Sequence, residues 1–565
     1  MHIIRKGEFS VPQNVITRAV SSVIALLLAL IMTFFGWCRS TVEKIFHCCE
    51  SETVTEEVTT EFSTEPESET TTESTTESTT ESTTESTTES TTESTTESTT
   101  ESTTESTTEE ITNKINDITA VDSGAYLKGY SEVRKMFIGG SKTETVTAGT
   151  AGADGAYYCC GTTESTDGDF AAKNTASNGS PASFIMRVER NGSTGWLKVK
   201  GDTNYKYYFT SMACLSDGNI AVGGYMTKKN VSAGQSMKYQ SLVLIYDKTG
   251  IVKKTILLQG SESAFIDCIA ATPEGFAIGG KTDCHDGNFT FVPKEFSAMQ
   301  GFVIYYDNSG KILSSLCYSG SAGAEVKGMA SDKNGNVFLG ITTASRDGSF
   351  AKYSGFVKQN SLSTLVVKLD SAGKEKWGRV FSTSKKTDFS FLSADGNGGC
   401  IAGGNVDEFS GLPDGFLASV SHYSGTNVCI YRLSGADGST LWNYTMRGIG
   451  SKYIEDVCCF SGGIAVVGEY NTASGDFPKN HGDYDGFTAL FSPAGKLKAC
   501  INNGGSDTDK TTVAVYANSF LKVFGNSLST DNVFDGMNTN VTPANIMAFG
   551  TVFDCFSIKY QIDIY

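Results

Sequence analysis

Proline and charge are both scarce in this sequence of 565 residues. It contains 9 Pro, and charged residues make up 19% of the chain, below ordinary globular usage. Helical bundles and coiled coils are rich in Ala, Leu, Glu and Lys, so both are excluded. Abundant Gly (60), Phe (33) and Tyr (23) instead favour many short strands joined by tight turns.

The net negative charge of the chain comes from one segment. Residues 50–110 contain 19 Glu and no Lys, Arg or Asp, whereas the remaining 44 acidic residues nearly balance the 45 Lys and Arg. The rest of the chain is therefore almost neutral. It shows no basic stripe, so we expect no nucleic-acid partner.

An uncharged run of 20 residues, 19–38, reads AVSSVIALLLALIMTFFGWC. At about 1.5 Å per residue a helix of this length crosses a hydrocarbon core of roughly 30 Å. A cleaved secretory signal is the alternative, but no A-x-A site follows the run. The weak excess of basic residues before the run predicts a cytoplasmic tail (1–18), a single membrane anchor (19–38) and an extracellular remainder in the cell membrane.

A Ser/Thr/Glu-rich segment, 39–117, follows the apolar run. Residues 71–110 are ten tetrapeptides, nine TTES and a final TTEE. They lack apolar periodicity, and like charges every fourth residue repel one another and extend the chain. The segment is predicted to be a disordered stalk that holds a domain away from the membrane. A repeat expansion that serves merely as a tether is the alternative.

Repeats dominate the remainder, 118–565. A short apolar strand ending in glycine recurs at Gly161, Gly224, Gly280, Gly340, Gly404, Gly468 and Gly525, a spacing of about 61 residues. Each unit reads as strand a, tight turn, strand b, long loop, strand c, tight turn and strand d. Four antiparallel strands per unit are typical of a β-propeller blade.

The sequence therefore predicts an all-β fold, a seven-bladed β-propeller of four-stranded antiparallel blades. An open β-solenoid is a weaker alternative, because its coils are shorter. The last unit lacks the second tight turn. We expect residues 133–138 to complete it by pairing with residues 546–552, while the alternative is that residues 556–564 form the outer strand.

The repeats resemble the tandem propeller repeats of bacterial cell-surface proteins. The closest match is VVGEYNTASGDFPKNHGDYDGFTALFSPAGKLK in unit six, and the resemblance covers about 145–554. That family is mostly uncharacterised. The resemblance thus implies a secreted or anchored propeller and no particular activity.

The long b–c loops form the predicted binding face, since function collects on loops that a rigid scaffold positions. Most contain an acidic residue shortly before a Phe, and two also contain a His. The candidate residues of these loops are Asp167, Asp169, His285, Asp286, Asp347, Asp476, His481 and Asp483. An Asx-turn in which Phe plugs the loop is the simpler interpretation of the acidic motif.

Cofactor sites are weakly indicated. Ca²⁺ held by Asp167, Asp286 or Asp347 is an alternative interpretation, but calcium takes six to eight oxygens and these loops offer two carboxylates each. His285 and His481 fall in units three apart, which argues against a shared metal. No cofactor is therefore expected. The 15 Cys show no repeated spacing. The sequence is compatible with buried free thiols and with disulfides, and it does not decide between them.

Two classes of function fit this organisation. The first is a membrane-anchored extracellular binding or adhesion module for a surface glycan or protein, displayed on a long acidic stalk. The second is a surface hydrolase or lyase acting on polysaccharide, with two carboxylates about 5 to 9.5 Å apart. No G-x-S-x-G, H-E-x-x-H, P-loop or dinucleotide motif occurs, so catalytic residues are not assigned.

Overall fold

The computed structural model describes residues 136–554, except 177–178, 231–235, 359–360, 408–411, 413–424, 461, 473, 519 and 535–546. The predicted tail, anchor and stalk lie outside these residues, as do 118–135 and 555–565. Among the residues described, no helix combines the length and the apolar character needed to cross a bilayer.

Six four-stranded antiparallel sheets are each built from four consecutive strands. We number them as blades one to six. Blade one contains β2 (Glu144–Ala151), β3 (Tyr157–Thr163), β4 (Ala182–Val188) and β5 (Thr194–Lys200). Blade two contains β6 (Tyr205–Cys214), β7 (Ile220–Lys228), β8 (Tyr239–Tyr246) and β9 (Val252–Leu257). Blade three contains β10 (Ala264–Thr272), β11 (Gly275–Thr282), β12 (Gln300–Asp307) and β13 (Ile312–Tyr318).

The same order continues in the next three blades. Blade four contains β14 (Ala324–Ser331), β15 (Val337–Thr343), β16 (Ser363–Leu369) and β17 (Glu375–Phe381). Blade five contains β18 (Thr387–Ala394), β19 (Cys400–Val406), β20 (Asn427–Leu433) and β21 (Thr440–Thr445). Blade six contains β22 (Lys452–Phe460), β23 (Gly463–Tyr470), β24 (Asp485–Phe491) and β25 (Leu497–Asn502). The prediction of an all-β propeller with four-stranded antiparallel blades is confirmed.

A further four-stranded sheet combines both ends of the described chain. Its strands β26 (Asp509–Ala517), β27 (Phe520–Ser527) and β28 (Met547–Asp554) are joined by β1 (Met136–Ile138) as the outer strand. Met136 pairs with Gly550, and Ile138 pairs with Ala548. Closure by the N-terminal strand is therefore confirmed for these three residues, and we call this sheet blade seven.

The glycine near the end of strand b is explained, in most blades, by a bulge in strand a. In blade three the ladder between β10 and β11 shifts between Ile266 and Cys268, opposite Gly280. A Cβ atom on Gly280 would lie 1.8 Å from the carbonyl oxygen of Phe265. Since no side chain fits there, glycine is required at this position of blade three. Blade four departs from the pattern, because Ile341 lies opposite Val326 at its bulge.

The core lies between blades. One cluster of buried residues joins Val243 of blade two to Ile266 and Phe302 of blade three, and equivalent clusters link other neighbours. The innermost strands β2, β6, β10, β14, β18, β22 and β26 each pack against the next, and β26 packs against β2. The ring is thus closed around a central channel, as expected for a propeller.

The b–c loops and the d–a linkers share one end of the ring, which we call the long-loop face. The a–b and c–d turns share the opposite tight-turn face. One expectation about loop length is wrong: the b–c connection of blade two, 229–238, is much shorter than 164–181 in blade one.

Candidate functional site

The acidic residues predicted in the b–c loops hold those loops to the linker that enters the same blade. Three of them, and Asp531, which was not among the predicted residues, accept the backbone N–H of a linker serine through a carboxylate Oδ1. The pairs are Asp167 with Ser141 (2.8 Å), Asp286 with Ser261 (2.8 Å), Asp347 with Ser321 (2.9 Å) and Asp531 with Ser506 (2.8 Å). These hydrogen bonds lower the pKa of Asp167, Asp286 and Asp347.

The next two residues complete this contact, which we call the loop latch. Gly348 has a φ of 54°, and a Cβ there would lie 2.3 Å from the Ser319 carbonyl oxygen. The residue after the glycine then accepts a linker N–H through its side chain. The pairs are Asp169 with Gly139 (3.0 Å), Asn288 with Gln259 (2.7 Å), Ser349 with Ser319 (3.0 Å) and Asp476 with Arg447 (2.7 Å).

The phenylalanine of each latch is a plug in the described loops. Phe170, Phe289 and Phe350 are completely buried, and Phe477 and Phe534 are nearly so. Phe170, for example, packs on Phe184 with ring centroids 5.6 Å apart. The latch residues therefore make a repeated structural contact in which the carboxylate oxygens already accept backbone N–H groups.

Asp476 has the densest set of partners among the predicted candidates. Its Oδ1 accepts hydrogen bonds from Nε and Nη2 of Arg447 at 3.0 and 2.7 Å. Its Oδ2 accepts the Tyr444 hydroxyl at 3.0 Å. The Asp476 carboxylate is buried, while the Arg447 side chain is 61% exposed. This pair closes the blade six loop.

The remaining candidates lie apart from one another. His285 Nδ1 is 3.4 Å from the carbonyl oxygen of Val292 in blade three. In blade six, the backbone N–H of His481 donates to Asp485 Oδ2 at 2.7 Å, and Asp483 is exposed. Across the described part of the chain, no group of three or more His, Cys, Asp or Glu is arranged to hold a metal ion.

A group of charged side chains that the sequence analysis did not single out lies at the long-loop end of the channel. Its members sit on the innermost strands or on the strand next to them, in blades three to seven. This channel cluster consists of Asp267, Lys281, Glu325, Lys327, Asp388, Glu455, Glu469 and Lys510. It contains five acidic residues and three lysines.

Ion pairs within the channel cluster join neighbouring blades. Lys281 of blade three lies 2.8 Å from Glu325 of blade four. Lys510 of blade seven lies 2.7 Å from Glu455 of blade six and 3.9 Å from Glu469. Lys327 of blade four pairs with Asp388 of blade five. Because these pairs are partly buried, they orient the inner strands more firmly than surface pairs would.

Asp267 differs from the other acidic members of the cluster. Its Oδ2 atom is buried and has no hydrogen-bond partner. Burial, reinforced by the nearby Glu325 carboxylate, raises the pKa of Asp267 to about 8. At neutral pH this carboxyl is therefore mostly protonated.

Aromatic rings border the cluster on the side of blade two. The Tyr225 ring packs against Tyr208 at 5.1 Å and edge-on against Phe265 at 5.0 Å, measured between centroids. Tyr239 completes the group, 4.9 Å from Phe265. All four side chains are half-buried. Together they give the channel entrance an aromatic wall.

A cavity of about 720 Å³ opens beside this wall, between the short b–c connection of blade two and the linker into blade three. Tyr205, Tyr239 and Gln240 line it on one side. On the other, Glu262 pairs with Lys238 at 3.1 Å, and both side chains are about half exposed. The cavity combines aromatic surface with hydrogen-bonding groups, as ligand sites do.

A sequence signal for the channel cluster exists. Asp267, Lys327 and Glu455 occupy the same bulge position of strand a in three repeats, although most residues of that strand are apolar. A charged residue at this position of the innermost strand is the sequence signal that would have indicated the channel cluster.

Comparisons with known proteins identify no family. No family model matches the chain, and no curated protein matches its sequence. The resemblance to bacterial cell-surface propellers therefore stays a prediction at the level of family.

Solved structures give matches of low identity. A protein of unknown function from Dyadobacter fermentans is 12% identical, with a TM-score of 0.37, and the match covers 75% of this chain and 99% of that one. Sqt1 from Chaetomium thermophilum is 12% identical, with a TM-score of 0.34 and coverage of 70% and 83%. The phage phi92 endosialidase is 7% identical, with a TM-score of 0.35 and coverage of 74% and 68%. Likeness at this level carries no argument about function.

Proposed function

We propose that this protein is a binding module whose ligand site is the long-loop face at blades two and three. The observation that carries the proposal is the cavity of about 720 Å³ beside the aromatic wall. It lies where blade two has its short loop, whereas the latch and its Phe plug cover this end of blades three and four. A surface glycan or a protein loop suits such a mixed aromatic and polar surface.

The sequence that precedes the propeller supports its display outside the cell. In our proposal residues 19–38 anchor the protein in the cell membrane, and 39–117 form the stalk. The propeller, with its ligand site, would then lie in the extracellular space.

Binding of the full-length chain to a glycan array tests the ligand site. Tyr239→Ala removes an aromatic ring from the cavity wall, so affinity should fall at least tenfold. Tyr516→Ala is the matched control: Tyr516 is a half-buried residue near the tight-turn face, stacked on Phe460 at 5.1 Å. Its affinity should stay within twofold of the parent. Equal losses in both variants would contradict the assigned face.

Labelling of intact cells tests the topology. An impermeant amine reagent should modify the exposed side chains Lys253 and Lys311. Modification that requires cell lysis would reverse the proposed orientation.

The alternative function, a polysaccharide-active enzyme, needs two carboxyl groups that flank a glycosidic bond. The predicted loop carboxylates Asp167, Asp286 and Asp347 are engaged by backbone N–H groups in the latches. This engagement favours binding over catalysis at those loops.

A further inference from the structure

Asp267 is the acidic residue of the channel cluster that forms no ion pair with the three lysines of the cluster. Lys281 donates to Glu325, Lys327 pairs with Asp388, and Lys510 lies against Glu455. Each ammonium group thus has a carboxylate partner. Asp267 Oδ2, by contrast, is buried without a hydrogen-bond partner. A buried carboxylate in that state is costly unless a positive charge or a proton reaches it.

The position of Asp267 explains why its Oδ2 atom lacks a hydrogen-bond partner within the fold. In blade two the same bulge position holds Thr210, whose hydroxyl donates to the Ile266 carbonyl of the next blade at 2.6 Å. The corresponding carbonyl facing Asp267 is that of Val326, which instead accepts from Cys268 Sγ at 3.4 Å. Asp267, unlike Thr210, makes no hydrogen bond to the next blade through its Oδ2 atom. The replacement of Thr by Asp at this position of the repeat therefore removes the inter-blade contact and leaves a carboxyl group at the channel.

Aromatic rings stand beside this acceptor. Phe265 precedes Asp267 by two residues on β10, and its ring already has the Lys281 ammonium 5.7 Å from its centroid. Tyr225 meets Phe265 edge-on at 5.0 Å, and it is close enough to Asp267 for the carboxylate to raise the Tyr225 pKa, after burial. Aromatic faces and an unpaired carboxylate are the groups that recognise organic cations.

We propose that the channel cluster binds a primary ammonium group, with Asp267 as its counter-ion and the rings of Phe265 and Tyr225 beside it. The inference rests on the proposed function, in that the ligand arrives at the long-loop face, and it names the chemistry that the ligand must carry. A lysine side chain or an alkylamine supplies such a group on a flexible stem.

The charges around Asp267 set the expected pH dependence. Tyr225 on β7, Lys281 on β11, and Glu325 and Lys327 on β14 face it, and the two lysines are neutralised by carboxylates. Because the pKa of Asp267 is raised to about 8, the free protein holds a proton there at lower pH. An ammonium ligand must displace that proton. Apparent affinity should therefore rise with pH until Asp267 has lost its proton, and it should not rise further above that point.

Calorimetric titration of the full-length chain provides the test. The probe is Nα-acetyl-lysine methylamide, and the norleucine analogue, which lacks the ammonium, is the matched ligand control. Titrations at 0.15 M salt screen the acidic residues 50–110. We expect binding of the lysine probe with release of a proton, and at least tenfold weaker binding of the norleucine analogue.

Variants locate the site. Asp267→Asn keeps the shape of the side chain and should weaken probe binding at least tenfold, with loss of the pH dependence. Glu274→Gln, on the tight-turn face of the same blade, is the matched control, and it should change the affinity for the probe less than twofold. If Asp267→Asn fails to fold, Phe265→Leu, which keeps apolar volume and removes the ring, should weaken binding several-fold. Probe binding that is unchanged in the folded Asp267→Asn or Phe265→Leu variant, or equal for both ligands, would overturn the ammonium site. If Tyr239→Ala and Tyr516→Ala instead reduced glycan-array binding to the same extent, the proposed function would be overturned.

Discussion

Removal of β1 should open the ring, and the size of the effect follows from its contacts. Ile138 is 5% exposed and packs with Val146 and Phe170. Truncation of such a side chain to alanine costs about 2–4 kcal/mol. Three hydrogen bonds join the following linker to the blade one latch, at 3.0, 3.0 and 2.8 Å, and each contributes about 1 kcal/mol. Their combined loss of roughly 5–7 kcal/mol approaches the total stability of many domains, about 5–15 kcal/mol.

Two truncations isolate this effect. A chain starting at residue 136 keeps β1, whereas a chain starting at residue 142 lacks β1 and the linker residues Gly139 and Ser141 that contact the blade one latch. Urea unfolding followed by circular dichroism should show a lower midpoint or lost cooperativity for the shorter chain. In the full chain, Ile138→Ala should lower the free energy of unfolding by about 2–4 kcal/mol. Equal midpoints for the two truncated chains would refute closure by β1 and favour the C-terminal residues 556–564 instead.

Two further predictions concern the latches and buried acids. Phe350→Ala should cost about 3–5 kcal/mol in urea unfolding, because the ring is completely buried, whereas Phe356→Ala in the same loop should cost less than about 0.5 kcal/mol, since that ring is 69% exposed. Burial raises the pKa of Asp509 to about 7, so the folded chain binds a proton more tightly than the unfolded one, and this group should make stability fall as pH rises from about 4 to 7. Asp509→Asn should flatten that slope by roughly 1–3 kcal/mol between pH 5 and 8; an unchanged slope would show that Asp509 ionises normally in the folded chain.

The repeat could be predicted from the sequence because each of its recurring residues has a local physical cause. Gly280 is fixed by the approach of the Phe265 carbonyl, and the same close approach of a strand a carbonyl occurs at Gly161, Gly224 and Gly468. The plug role of Phe170 and Phe289 followed from the same regularity. Closure by β1 was predictable since VRKMFIGGSK resembles the end of a strand d and the linker after it.

The channel cluster could not be predicted with the same ease. Asp267 and Glu325 come from different repeats, and their proximity depends on how two bulged inner strands meet. The open cavity was missed for a different reason. Blade two has a shorter loop than the repeat average, and a rule derived from the other loops overestimated its length. Departures from a repeat, rather than the repeat itself, therefore mark the candidate site.

The composite seventh blade has a consequence for synthesis of the chain. Met136 leaves the ribosome about 410 residues before its partner Gly550, although the entropic cost of closing so long a loop grows slowly with its length. Blades one to six can form in order as their strands emerge. β1 must wait until β28 is translated. We therefore expect ring closure to be the final, slowest step of folding, with an unpaired strand edge exposed throughout elongation.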